Sequence, residues 1–233
     1  MIYLVFPTSW HPSQPYLSLP SLKAFLNMYG VHDVVQRDLA IELLNDLCTW
    51  EKTKPLYERI IRELNELSSK PRLTQEEGEK FNKLREAEEI VMALKDQIDA
   101  AVASQRSQEF YEIDQYMENL KIMDVWLDNI LAPYYPSQLT VIGSQMRFSP
   151  YSSQEVIDSF KHPEENFFYD LYQQWYLPDI LKEDIDILGI SITSVEQIIS
   201  GLTLAYLVKQ HRPEIHITVG GSVFTKLVDR LES

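Results

Sequence analysis

The sequence predicts an α/β fold: a parallel, doubly wound sheet of about four strands, with a large helical insertion between its second and third strands. Three observations lead there. Ile2–Phe6 is a short, continuous apolar run, as expected of a strand buried on both faces. The last stretch, from Ile185 to Ser233, reads as IDILGISITS, an amphipathic helix, IHITVGGS and a second helix that runs to the terminus; strand, crossover helix and strand make one βαβ unit. Between these two regions, from about Leu39 to Pro133, the chain has helical periodicity. The predicted architecture is therefore Rossmann-like with a flavodoxin-like strand order. It divides into a discontinuous sheet domain, residues 1–38 and 184–233, and a mostly helical insertion and bridging segment, 39–183. The sheet is expected to be incomplete at its C-terminal end, one strand short, with an unpaired edge open to dimerisation.

In chain order, the first strand leads into the Pro-rich loop PTSWHPSQPYLSLP and a helix from about Ser21 to Tyr29, with Leu22, Phe25 and Leu26 on one face and Gly30 as its C-cap. Val31–Asp38 follows as the second strand. In the insertion, Leu56, Ile60, Leu64 and Leu67 form one stripe. Thr74 and Glu77 have capping-box spacing and open a long helix whose stripe runs from Phe81 to Val102. After a turn at Ser104–Ser107, a third helix carries Phe110, Ile113, Met117, Leu120 and Leu127. The aromatic segment Tyr134–Asp184 reads chiefly as core, with a helix over Glu165–Leu181. Ser194 and Gln197 have a second capping-box spacing, so the crossover helix should start directly after the third strand; Pro213 ends it and Ile215–Val219 is the fourth strand.

Composition narrows the function. A net charge of −14 disfavours nucleic acid and anionic membrane surfaces, both of which select basic faces. No apolar run approaches the roughly 20 residues of a membrane span, and MIYLVFPTSW lacks the basic start of a signal peptide. Cys48 is the single cysteine, which fits a reducing, cytoplasmic setting and leaves no ligand set for an iron–sulfur cluster.

Parallel α/β sheets place ligands at the carboxyl ends of their strands. A dinucleotide would want G-x-G-x-x-G after the first strand, yet there is no glycine between Met1 and Tyr29. The ATP-type phosphate loop is absent as well. A phospho-receiver needs carboxylates where this chain has Pro7-Thr8 and Ser191. What remains is a long-tailed ligand threaded beside small strand-end residues: Ser191, Thr193, Gly220, Gly221 and Ser222. Asp38 either bonds such a ligand or caps the next helix, and Glu196 and Gln197 either face it or are first-turn helix residues.

The segment DILGISITSVEQIISGLTLAYLVKQHRPEIHITVGGS resembles the cobalamin-binding domain that precedes the catalytic domain in B12-dependent radical SAM enzymes. FPTSWHPSQPYLSLPSLKAFLNMYG, followed by Asp38, resembles the first loop and helix of that family, and MRFSPYSSQEVIDSF with PEENFFYDLY resembles its bridging region. The general cobalamin pattern is D-x-H-x-x-G, then S-x-L, then G-G. The last part matches as Gly220-Gly221 and the second in part as Ser191-Ile192-Thr193. The first does not match: His11 lies in the correct loop, but Ser9 stands where the Asp belongs and Gln14 where the Gly belongs. The radical SAM relatives commonly lack this histidine, so His11 is expected to be a loop residue and not a cobalt ligand.

The resemblance implies cobalamin as the cofactor, with Thr8, Ser9, Trp10 and Gln14 at its lower face. Asp38, Ser191, Thr193, Ser194, Gln197, Gly220, Gly221 and Ser222 would lie around the rest. It implies a radical methyltransferase or peptide-modifying parent enzyme acting on a peptide or small molecule. In that parent, a downstream domain would hold the [4Fe–4S] cluster and S-adenosylmethionine, and this chain would be a non-catalytic piece. Two alternatives stay open. One is a corrin-free relic that acts as a scaffold, favoured if Trp10 or Tyr16 blocks the strand ends. The other is a helical module that binds a partner or peptide, favoured by an exposed apolar stripe on the inserted helices.

Overall fold

The computed structural model describes residues 1–11, 14 and 16–227. It is α/β, and it divides into two compact units: Met1–Ile41 with Phe148–Ser233, and Glu42–Arg147. The sequence placed 148–183 with the insertion. These residues group with the sheet because their helices pack against the crossover helix.

The sheet unit begins with β1 (Ile2–Phe6), α1 (Ser18–Met28) and β2 (Val34–Asp38), which leads into α2 (Leu39–Leu47). The inserted unit holds α3 (Trp50–Ser68), α4 (Gln75–Leu94), α5 (Ile98–Ser104), a 3₁₀ turn at Gln108–Tyr111, α6 (Ile113–Ile130), and the short antiparallel pair β3 (Gln138–Leu139) and β4 (Ser144–Gln145). The chain returns through α7 (Ser153–Lys161), α8 (Phe167–Leu171), a π-turn at Tyr172–Tyr176 and α9 (Leu177–Lys182). It then completes the βαβ unit with β5 (Ile187–Ser191), α10 (Gln197–His211) and β6 (His216–Gly220), followed by α11 (Ser222–Leu227). The expected run of the last helix to the terminus lies, beyond Leu227, outside the described residues.

Among the described residues the main sheet has four strands, all parallel, in the order β2-β1-β5-β6. The order reverses between β1 and β5, and that is its switch point. Right-handed crossovers then place α1 and α10 on opposite faces. Leu4 and Phe6 pack with Leu19, Leu26, Val34 and Ala40 on the α1 side. Ile190 faces α10, and a Cβ added to Gly201 would stand 3.4 Å from its Cγ2 and 2.7 Å from the Cδ1 of Ile192, so the helix lies close on the strand. The predicted apolar face of α1 is only partly covered: Leu19 is buried and Leu26 packs on the core, while Leu22 and Phe25 are 45% and 55% exposed.

In the helical unit, Leu56, Ile60 and Leu67 of α3 are buried, as are Leu84, Ala87 and Val91 of α4 and Met123, Trp126, Leu127 and Ile130 of α6. Two expectations are corrected. The long helix after Thr74 stops at Leu94, and the chain turns through Lys95–Gln97 before α5 begins at Ile98. On α6 the buried face belongs to the C-terminal half; Ile113 and Met117, expected inside, are exposed.

The capping box of α4 forms as the spacing predicts. Glu77 N donates to Thr74 Oγ1 (3.2 Å) and Thr74 N donates to Glu77 Oε2 (2.8 Å). Lys70 Nζ adds a bond to Glu77 Oε1 at 2.5 Å. The Lys70 ammonium, and then the Thr74 amide, hold the Glu77 carboxyl down at about 2. A depressed carboxyl contributes stability that is present above its unfolded value, about 4.3, and is lost as pH falls through about 2. Thr74→Ala is expected to cost about 1 kcal/mol in urea unfolding. Glu77→Gln should flatten the acid limb of stability within that window, and an unchanged limb would contradict the cap's role.

Candidate functional site

The carboxyl ends of β1 and β5 flank the switch point, with that of β6 next to β5, and the predicted residues there are held mostly by hydrogen bonds within the protein. The chain leaving β1 turns sharply at Ser9, which has a φ of +73°. Thr8 and Ser9 are buried. Thr8 Oγ1 lies 2.9 Å from the Tyr172 hydroxyl, and the Thr8 carbonyl accepts from Ser200 Oγ at 3.2 Å. Tyr172 is itself fully buried, and that burial pushes its phenol up to about 12. Thr8 and Ser9 are therefore part of the packing under the site and not its exposed lining.

Gln197 is the central clasp. Its side chain is buried; Nε2 donates to the Pro7 carbonyl at 2.9 Å, and Oε1 accepts from the amides of Thr193 (2.8 Å) and Ser194 (3.1 Å). One amide side chain thus ties the loop after β1 to the loop after β5. The capping box predicted here is only half formed. Ser194 N reaches Gln197, but Ser194 Oγ turns to the Glu196 carboxylate, and α10 starts at Gln197 after an intervening turn.

Ser191 Oγ donates to Ser18 Oγ (3.0 Å), which fixes the start of α1 to the end of β5. Ser222 Oγ donates to the Thr193 carbonyl at 2.8 Å. Asp38 resolves to the capping role: its Oδ1 accepts from the amides of Ala40 (3.0 Å) and Ile41 (3.2 Å) at the start of α2.

The two glycines differ. Gly221 has a φ of +111°, and a Cβ there would stand 2.1 Å from the Ile192 carbonyl oxygen, so it is required by backbone packing and does not open space for a ligand. Among the described residues nothing lies within 4 Å of the Gly220 Cβ position. On the neighbouring strand end, Thr193 Oγ1 is buried and has no hydrogen-bond partner among the described residues; the preceding Ile192 amide donates to the Gly220 carbonyl at 2.8 Å. Gly220 and Thr193 are therefore the predicted residues that retain steric room and unused hydrogen-bonding capacity.

In the first loop, Trp10 Nε1 donates to the Gln14 carbonyl (2.5 Å), and Gln14 N donates to the His11 carbonyl (3.0 Å). Trp10 packs edge-on to Phe6 with ring centroids 5.9 Å apart, and Tyr16 stacks on Phe6 at 5.5 Å. This aromatic group covers the end of β1. Among the described residues no three His, Cys, Asp or Glu side chains are grouped to hold a metal ion. Cys48 is buried, and burial pushes its thiol up.

Sequence reasoning missed Tyr172, Ser200 and Ser18 as partners at this site. Tyr172 was legible only as one aromatic among many; Ser200 carried a weak signal, a hydroxyl one position along α10 from the buried Ile199. No protein-family model, curated protein or solved structure matches the chain. No helix of the described residues is long and apolar enough to cross a membrane.

Proposed function

We propose that this chain is the cobalamin-binding domain of a B12-dependent radical SAM enzyme of the methyltransferase or peptide-modifying type. The observation that carries the reading is the Thr193 hydroxyl, unpartnered among the described residues, just after β5, with Gly220, open above its Cα, at the end of the neighbouring strand β6 of a parallel β2-β1-β5-β6 sheet. A long-tailed cofactor needs close backbone approach and a few polar contacts at such strand ends, and these two residues fit it. When bound, cobalamin would supply methyl-transfer or one-electron chemistry. The protein's part is to hold it: Gly220 admits the tail, Thr193 bonds it, and Trp10 and Gln14 border the facing loop. With a single, buried cysteine, the [4Fe–4S] cluster and S-adenosylmethionine of such an enzyme would be held by another domain, and the substrate, a peptide or small molecule, would meet the cofactor there.

The test is to incubate the chain with hydroxocobalamin, desalt it and read the corrin absorbance. Stoichiometric retention is expected. Gly220→Leu should abolish it without lowering the unfolding temperature, because the new side chain enters open space. No retention, or retention indifferent to G220L, would overturn the reading.

A specific observation favours a second reading. Trp10 and Tyr16 already pack on Phe6 at the end of β1. A domain closed in this way is a corrin-free scaffold that keeps the fold alone. Absence of retention in both the wild-type chain and Trp10→Ala would support it; corrin binding by wild type would exclude it.

A further inference from the structure

The helical unit carries an open apolar corner that its own core leaves uncovered. Ile113 and Met117, four residues apart on one face of α6, are 74% and 58% exposed, and Tyr111 just before them is 78% exposed. Phe110 anchors the corner, its ring meeting those of Tyr111 and Tyr116 edge-on, each at 5.3 Å. A groove of about 460 Å³, lined by Gln105, Arg106, Ser107, Gln108, Phe110 and Tyr111, opens at the turn before α6. The Nε2 of Gln105 is buried and has no acceptor among the described residues.

Around this corner carboxylates outnumber cations four to one, the cation being Arg106 in the groove lining. Glu109, Glu112, Asp114 and Glu118 are exposed, and no Lys or Arg lies between Arg106 and Lys121. Arg106 is engaged by Asn45 Oδ1 at 3.0 Å. None of the four carboxylates has an ion pair among the described residues. The dipole at the start of α6 accounts for Asp114 in its first turn but not for Glu118, nor for the bare Ile113 and Met117.

The geometry points to a docking site on this unit for a basic amphipathic helix. Its apolar face would lie on Tyr111, Ile113 and Met117, its Lys and Arg side chains would meet the four carboxylates, and a polar acceptor would reach Gln105. A second copy of this chain is a poor occupant, because a two-fold contact would bring the same carboxylates face to face. An anionic lipid surface is repelled for the same reason. The inference rests on the inserted helices and is independent of corrin binding.

The probe is a fluorescein-labelled Leu/Lys peptide of helical periodicity, with a Leu/Glu peptide of the same pattern as control, read by anisotropy at physiological salt. The Leu/Lys peptide should bind and the Leu/Glu peptide should not. The double variant Ile113→Ser with Met117→Ser keeps every charge and should weaken binding roughly tenfold or more. Leu22→Ser with Met28→Ser removes exposed apolar side chains elsewhere and should leave it unchanged. Glu112→Gln with Glu118→Gln should weaken binding and flatten its salt dependence. No binding of the Leu/Lys peptide, or equal affinity for wild type and I113S/M117S, overturns the proposal. So does self-association of the chain that the same double variant abolishes, which would assign the face to a second copy.

Discussion

Alanine at Gly221 is expected to destabilise the sheet unit by about 2–4 kcal/mol, from the strain of a positive φ and a clash with backbone. The added Cβ would stand 2.1 Å from the Ile192 oxygen and 2.6 Å from its carbonyl carbon. These atoms cannot rotate aside as a side chain would. Moving Ile192 away would also break the hydrogen bond that its N–H donates to the Gly220 carbonyl at 2.8 Å. Alanine at Gly220, with no atom of the described residues within 4 Å of its Cβ, should change stability by no more than about 0.5 kcal/mol. Urea unfolding of the two variants separates the residues, and equal losses would contradict the distinction. The same contrast makes Gly220 the position for testing ligand approach, because a change at Gly221 confounds binding with folding.

Trp126→Ala should cost about 3–5 kcal/mol, the range for removing a large buried aromatic side chain. Trp126 is fully buried in the helical unit, its Nε1 donates to the Leu47 carbonyl at 2.6 Å, and its ring meets Trp50 edge-on at 6.2 Å. Alanine leaves both a cavity and a buried carbonyl without its donor. Trp126→Phe refills most of the volume and should cost about 1–3 kcal/mol, mainly the unmade bond. Urea titrations of both variants check the ordering. If Phe is as costly as Ala, the hydrogen bond outweighs the packing.

The sheet was legible because its signals are local. The apolar run Ile2–Phe6 becomes β1, and the final βαβ unit falls where its pattern places it. Thr74 and Glu77 were legible for the same reason, since both partners of the box lie within one turn. The break at Lys95–Gln97 was not, because the apolar repeat continues through it from Leu94 to Ile98. Periodicity also could not show that α6 buries only its C-terminal half, where Met123, Trp126 and Ile130 find neighbours that Ile113 and Met117 lack.

At the candidate site, residue types were readable but partners were not. Nothing near Gln197 in sequence announces that its side chain reaches Pro7, 190 residues away, or that Thr8 meets Tyr172, 164 residues away. Small size at Gly220 and Gly221 looked like one property. Only the approach of Ile192 separates a glycine that leaves space from one that fills it.

The π-turn at Tyr172–Tyr176 sets which repeat the α8–α9 segment can bury. Phe168, Tyr172, Tyr176 and Ile180 recur every four residues and all are buried. In a regular α-helix each residue advances by about 100°, so a strict repeat of four drifts about 40° per step and would carry the last of them off the core. The wider turn absorbs that drift and keeps all four on one side. Without the wider turn, Tyr172 and Ile180, eight residues apart, would differ by about 80° around a regular helix axis and could not both face inward. The turn thus lets a strict repeat of four, which a regular helix does not support, bury every one of its members.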